Sequence, residues 1–287
     1  MLARSRTKWL FVGPGIMWVL AFTIFPLVYS LVLSFLRYRL GQPPRFNFPD
    51  NFARAFEDYR FWNSLGVTVL FVVASVTLTV GLGLGLALLF NREMRGQRVF
   101  RSLFTMPLFV APIALGYLGL TIFHEDVGAV NTVLRALGMA ELPRWFSNVW
   151  LARLAIILVD VWQWTPFCFL VLLAGLQSLP DEVYEATVLD TSSGVDTFRF
   201  VTLPLLTPVL FTVIMLRLVE SFKMLDIPFS MTGGGPGSAT QTYSYYIYLT
   251  GLRNFNFGYA SALAYLLLII MMVISIFFFN RLREIYQ

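Results

Sequence analysis

The sequence predicts an all-α, polytopic membrane protein with six membrane-crossing helices, and three observations predict it. The chain of 287 residues is 57% hydrophobic and only 13% charged, with a mean hydropathy of +0.72, which is too apolar for a water-soluble domain. Apolar stretches longer than the roughly 20 residues that cross a bilayer as helix recur along it. Its arginines stand in ones and twos beside those stretches, where they anchor helix ends to lipid head groups, so the net charge of +5 points to a bilayer and away from nucleic acid. The single cysteine, Cys168, lies in an apolar run and the single histidine, His124, in a polar turn, which gives neither a disulfide framework nor a metal-ligand spacing.

The first span is expected over residues 9–36, preceded by Arg4, Arg6 and Lys8 without an acid. A signal peptide is the competing reading; the apolar run is too long for one and ends without a small-residue cleavage site. Pro26 predicts a kink in it. Residues 37–64 are polar, hold Pro43, Pro44 and Pro49, and carry Phe52, Phe56, Tyr59, Phe61 and Trp62 at the spacing of a small interfacial helix. Residues 1–64 are thus expected to form an N-terminal helix with an external interfacial segment. A five-helix core is expected over 65–280 and a short tail over 281–287.

Within that core the second span is expected over 65–90, with Gly81 and Gly85 forming a small-residue face for helix packing. Arg92, Arg95, Arg98 and Arg101 against Glu93 make 91–102 the densest basic loop, which places it, the N-terminus and the C-terminus in the cytoplasm. The third span, 103–123, is broken by Pro107 and Pro112, and 124–150 is an external loop with one or two short helices. The remaining spans fall at 151–176, 205 to about 231, and 259–280. Segments assigned inside carry ten Lys/Arg and those outside nine, so the orientation rests on the short basic loop.

Between the fourth and fifth spans lies a polar segment, 177–204, whose stretch from Tyr184 to Pro208 reads YEATVLDTSSGVDTFRFVTLPLLTP. Helix formers Glu185 and Ala186 lead to Asp190 and to a turn at 190–194 rich in small capping residues, closed by Gly194. Val195, Phe198 and Val201 then recur at three-residue spacing, one apolar face of a second short helix, before Leu203, Pro204 and Pro208 re-aim the chain toward the membrane.

Polar groups also occur inside the spans. Asp160 and Gln163 sit one turn apart beside Trp162 and Trp164, with Pro166 loosening the helix behind them. They are read either as an interhelical hydrogen bond or as a sugar contact, in which aromatic faces stack on C–H groups while polar groups take the hydroxyls. Arg217, Glu220, Lys223 and Asp226, with Ser221 among them, fall at three-residue steps, so one face with charges pairing in alternating sign is expected. That face is either an ion-pair ladder or the lining of a path. Met231-Thr232-Gly233-Gly234-Gly235-Pro236-Gly237 is expected not to hold regular helix, and it is no phosphate cradle, because no Gly-Lys-Ser/Thr follows.

Three of these motifs carry a resemblance. The spacing of Glu185-Ala186, Asp190, Phe198 and Thr202-Leu203-Pro204 resembles the EAA loop of permease subunits in bacterial ATP-binding-cassette importers, with Thr187 and Thr191 departing from its usual Ala and Gly. Phe25-Pro26-Leu27-Val28-Tyr29-Ser30-Leu31 resembles the first helix of carbohydrate-importer permeases, and TGGGP after the fifth span is similar to one subunit of the maltose or glycerol-phosphate type. The resemblance implies a type I importer permease fold and the channel subunit of an ATP-driven importer of a sugar, polyol or related solute, with no chemistry of its own. It implies a paralogous second permease, two ATPase subunits carrying ATP and Mg, and an extracytoplasmic solute-binding protein facing Thr232 to Pro236. The ATPase would dock at 177–204, and the substrate path would run along the fifth span. The alternatives are an ion-coupled secondary carrier with Asp160 and Asp226 as its ion sites, for which the two halves show no internal repeat, and an intramembrane hydrolase, for which Cys168 lacks a base.

Overall fold

The structure, a computed structural model, describes residues 2–92, 95–190 and 193–286. It is helical apart from one two-stranded hairpin. The elements in chain order are α1 (Leu2–Val19), α2 (Phe25–Ser34), β1 (Leu36–Arg37), β2 (Arg45–Phe46), α3 (Asp50–Glu57), α4 (Tyr59–Phe90), α5 (Gln97–Phe104) and α6 (Pro112–Ile122). There follow α7 (Ala129–Ala136), α8 (Val149–Gln177), α9 (Asp181–Asp190), α10 (Gly194–Thr197), α11 (Leu203–Phe222), α12 (Asp226–Thr232), α13 (Tyr243–Tyr248) and α14 (Phe257–Tyr286). Among the described residues, five helical runs are long and apolar enough to cross a membrane: Phe11–Ser34, Tyr59–Phe90, Val149–Gln177, Gly194–Phe222 and Phe257–Arg281. The pair Gln97–Phe109 and Pro112–Ile122, bent by 101° where Pro112 denies the chain a helical donor, makes a sixth when the two are counted as one broken span.

Two prolines expected to kink or turn the chain are each preceded by a widened helical turn. The amide of Phe25, directly before Pro26, reaches back five residues to the Leu20 carbonyl, and that of Leu203, directly before Pro204, does the same to Phe198. Each five-residue bond takes up the register that the missing proline N–H would leave open. The expected redirection at Pro204 and Pro208 is therefore corrected: α10 runs through a π turn, Phe198–Thr202, into α11 without a break.

The described residues divide into two compact units. One joins residues up to Phe61 with Tyr246–Ile270. Its centre is Asp58, whose carboxylate accepts the hydroxyls of Tyr246 and Tyr259 and the Arg60 amide, while the Arg54 guanidinium lies 4.5 Å over the Tyr259 ring. Burial raises the Asp58 pKa, but those hydrogen bonds and the Arg54 charge outweigh it and hold the carboxyl below its ordinary value. Burial and the Asp58 bond together push Tyr246 up to about 12.

The other unit comprises Trp62–Tyr245 and the chain from Met271 onward. Phe71, Leu115, Ile156, Val159, Ile227 and Met231 form its main apolar cluster. Helices approach closely where glycines allow it. A Cβ on Gly83 would stand 2.6 Å from Cys168 Cβ of α8, and one on Gly116 of α6 would collide with Ser230 Oγ of α12. The packing face expected at Gly81 and Gly85 is thus corrected, since nothing lies within 4 Å of a Cβ at either; Gly83, on the opposite side of α4, is the close approach.

Candidate functional site: a polar cavity between α8, α11 and α12

The buried residues of α11 include Leu206, Val213, Arg217 and Ser221, at steps of seven, four and four, so they form one stripe of the helix. Arg217 is completely buried on it. Its Nη2 donates to Asp160 Oδ2 of α8 at 2.7 Å, its Nε donates to Thr79 Oγ1 of α4 at 3.3 Å, and its guanidinium lies 4.8 Å from the Trp164 ring centre. One cation thereby ties three helices. Asp160 is 3% exposed, so the pair is sealed from water.

Glu220 and Lys223 lie off that stripe and pair with each other at 2.8 Å, their side chains 40% and 57% exposed. The expected ladder is therefore corrected twice: Arg217 pairs across helices with Asp160 and not along its own helix, and Asp226 is not on that helix at all. Helix α11 stops at Phe222. Pro228 has no N–H to offer the Met224 carbonyl, which accepts from Thr242 Oγ1 at 2.7 Å, while Ser244 Oγ donates to the Phe222 carbonyl at 3.1 Å. The chain restarts as α12, where Pro228 is the third residue and its absent donor has no helical partner to miss. The fifth span is accordingly Gly194–Phe222, in place of 205 to about 231.

These elements enclose a cavity of about 220 Å³, lined by Asp160, Gln163, Trp164, Glu220, Lys223 and Asp226 among others. Six of the seven path residues read from the sequence meet there; Ser221 is buried on the α11 stripe, its Oγ without a hydrogen-bond partner. Gln163 is 4% exposed, donates its amide to the Val110 carbonyl at 3.4 Å, and leaves Oε1 buried without a partner. Trp162 points elsewhere, lining a separate apolar cavity of about 410 Å³ with Phe104 and Pro107. Met224 and Leu225 also line the polar cavity, and sequence reasoning passed over them because it carried the helix straight through.

The non-helical stretch expected from Met231 is corrected, since Met231 and Thr232 close α12 and the loop begins at Gly233; that loop is internally tied. Thr232 Oγ1 meets Thr240 Oγ1 at 2.7 Å, Thr240 Oγ1 donates to the Gly235 carbonyl at 2.8 Å, and Gly233 and Gly234 take φ of 59° and 89°, which ends α12. Gly233 is exposed, Gly234 buried against Tyr245, and Gly235 and Pro236 half-buried.

At the other end of α11, Glu185 and Ala186 of α9 are exposed. Asp190 closes α9, its side chain outside the described residues, as are Thr191 and Ser192. Gly194 is not the turn residue expected of it but the first residue of α10, capped by Ser193 Oγ on the Asp196 amide at 3.3 Å. Val195 and Phe200 are 74% and 67% exposed, with Phe198 and Leu203 half-buried, so this segment presents apolar side chains without cover.

A set of membrane-crossing helices around a small cavity of charged and amide groups, with no three His, Cys, Asp or Glu gathered as metal ligands among the described residues, defines a polytopic transport subunit. The chain belongs to the family described as binding-protein-dependent transport system inner membrane component, matched over residues 78–286. It is 35% identical over 237 residues to the trehalose/maltose transport system permease protein MalF of Thermococcus litoralis, covering 82% of this chain and 80% of that protein. It is 32% identical to the sulfoquinovosyl glycerol transport system permease protein SmoG of Agrobacterium fabrum, covering 82% and 80%. Its fold matches a subunit of a bacterial ABC transporter involved in the import of the acidic polysaccharide alginate, with a TM-score of 0.85 and 21% identity over 100% of this chain and 98% of that one. The chain is thus a multi-pass inner-membrane permease subunit of an ABC importer and not an enzyme; these relatives lend the ion-coupled carrier no support.

Proposed function

We propose that the chain is one half of the channel of a saccharide importer and that the 220 Å³ cavity belongs to its cargo path. The observation that carries this reading is the cavity itself. Charged groups at membrane depth cost about 2.5 to 3.5 kcal/mol each on insertion scales. The sealed Arg217–Asp160 pair is explained by its three-helix tie, but the half-exposed Glu220–Lys223 pair and the free Gln163 Oε1 hold nothing together. Trp164 beside them offers an aromatic surface, and the named cargoes of the relatives are saccharides or glycosides.

In this reading the segment from α9 to the start of α11, with Glu185, Ala186, Asp190, Gly194, Phe198, Leu203 and Pro204, docks a separate ATPase that binds ATP and Mg. Two such subunits and a paralogous second permease complete the importer. The loop Thr232 to Pro236 faces an extracytoplasmic solute-binding protein, and both termini are cytoplasmic. Alternating access follows when the ATPases close and open.

The double change Glu220→Gln with Lys223→Met tests the path. The pair is half-exposed, so its loss costs at most about 1 kcal/mol and the bundle stands. Uptake by the complete importer should fall or change specificity at unaltered binding-protein affinity. Unchanged uptake kinetics across several sugars would remove this pair from the path.

A further inference from the structure

The charges around the cavity do not cancel. Asp160 is neutralised by Arg217 at 2.7 Å and Glu220 by Lys223 at 2.8 Å. Asp226 remains: half-buried, lining the cavity, and without an ion pair or a side-chain hydrogen bond among the described residues. Gln163 lines the cavity too, but its amide is committed to Val110 and its Oε1 is buried, so it offers an entering group no donor. Among the described residues that line the cavity, the one cation, Lys223, is already paired with Glu220, which leaves the Asp226 carboxylate as the free charge. An O–H or N⁺–H donor entering the cavity meets acceptors, whereas a carboxylate, sulfonate or phosphate meets an uncompensated negative charge. The relatives' printed cargoes span both kinds, trehalose/maltose on one side and sulfoquinovosyl glycerol and alginate on the other.

We infer that Asp226 is a specificity-determining residue, leaving the cavity net negative so that the cargo is a neutral or cationic saccharide and an anionic one is turned away. The inference rests on the path reading above, and the test separates the two. In the complete importer, in membrane vesicles, Cys168 is replaced by Ala and Leu225, which lines the cavity next to Asp226, by Cys; a parallel importer carries Met224→Cys, so that loss of folding at one position does not end the test. The thiol is reacted at low salt with a trimethylammonium-ethyl and with a sulfonato-ethyl methanethiosulfonate, and the rate ratio is divided by that of free 2-mercaptoethanol. The normalised ratio should favour the cation, and Asp226→Asn should lower it roughly sevenfold, the effect of one charge about 7 Å away in water-like dielectric on probes of opposite sign. A ratio at or below one, or one that Asp226→Asn leaves in place, overturns the charge assignment. Uptake that persists after full modification by neutral methyl methanethiosulfonate overturns the path reading and not the charge. Thiols at both positions that no reagent reaches overturn both.

Discussion

Replacing Asp160 by Asn removes a charge at nearly constant volume and leaves Arg217 as a cation with 0% exposure. Arginine does not escape by losing its proton. What remains to it is the neutral amide oxygen of the replacement, the Thr79 hydroxyl at 3.3 Å and the Trp164 ring at 4.8 Å, none of which carries a compensating negative charge, and Nη1 already lacks a partner. Two unit charges 4 Å apart attract by about 4 kcal/mol at an effective dielectric constant of about 20, which agrees with the roughly 3 to 5 kcal/mol lost when one member of a buried pair is removed. At about 2 to 4 °C per kcal/mol, the melting temperature in detergent, followed by size-exclusion chromatography of heated samples, should drop by about 10 °C. The double change Asp160→Leu with Arg217→Met removes both charges and should recover most of that loss, because an apolar replacement of a buried pair is often neutral or better. A single variant melting within about 2 °C of the parent, or a double variant melting as low as the single, would refute the tie between α4, α8 and α11.

The remaining predictions concern coupling, orientation and packing. Glu185→Ala should leave the protein in the membrane but uncouple uptake from ATP hydrolysis, because in the proposed reading the exposed carboxylate pairs with a basic group on the ATPase; normal uptake with normal ATPase binding would sink this. A Cys at Ser238, in a Cys168→Ala background, should react with a membrane-impermeant thiol reagent added outside, and labelling from the cytoplasmic side alone would reverse the orientation. Gly83→Ala should lower stability by about 1 to 3 kcal/mol through its collision with Cys168, whereas Gly85→Ala, facing open space, should be neutral or stabilising by up to about 1 kcal/mol; equal melting temperatures would dismiss the close approach.

The spans were legible because a bilayer imposes its thickness on any helix that crosses it, and their existence followed from apolar length alone. The fourth span, expected over 151–176, is Val149–Gln177. What periodicity does not report is which neighbour a helix face meets. Gly81, Gly83 and Gly85 are equally small, and only the course of α8 decides that Gly83 is the one in contact. Arg217 looked ready to pair three residues along because local spacing is all a sequence displays, while its partner lies 57 residues away. The end of α11 did have a signal, Pro228, which forbids the Met224 carbonyl its usual partner and was passed over in favour of the regular steps of charge. The cavity residues nonetheless converge because charge in an apolar span is rare enough to mark itself.

The unbroken run from Gly194 to Phe222 has a mechanical meaning. Val195, exposed at one end, and Glu220, beside the cavity at the other, ride on one rod about 38 Å apart at 1.5 Å per residue. Tilting such a rod by about 10° about its lower end sweeps the upper end sideways by about 7 Å, enough to carry Glu220 past a whole side chain. No chain of intermediary contacts is needed, only stiffness. In the proposed reading, where a partner ATPase pushes on the segment before it, the widened turn at Phe198–Thr202 lies close to the pushed end and would set how much of that push arrives as a swing at the cavity.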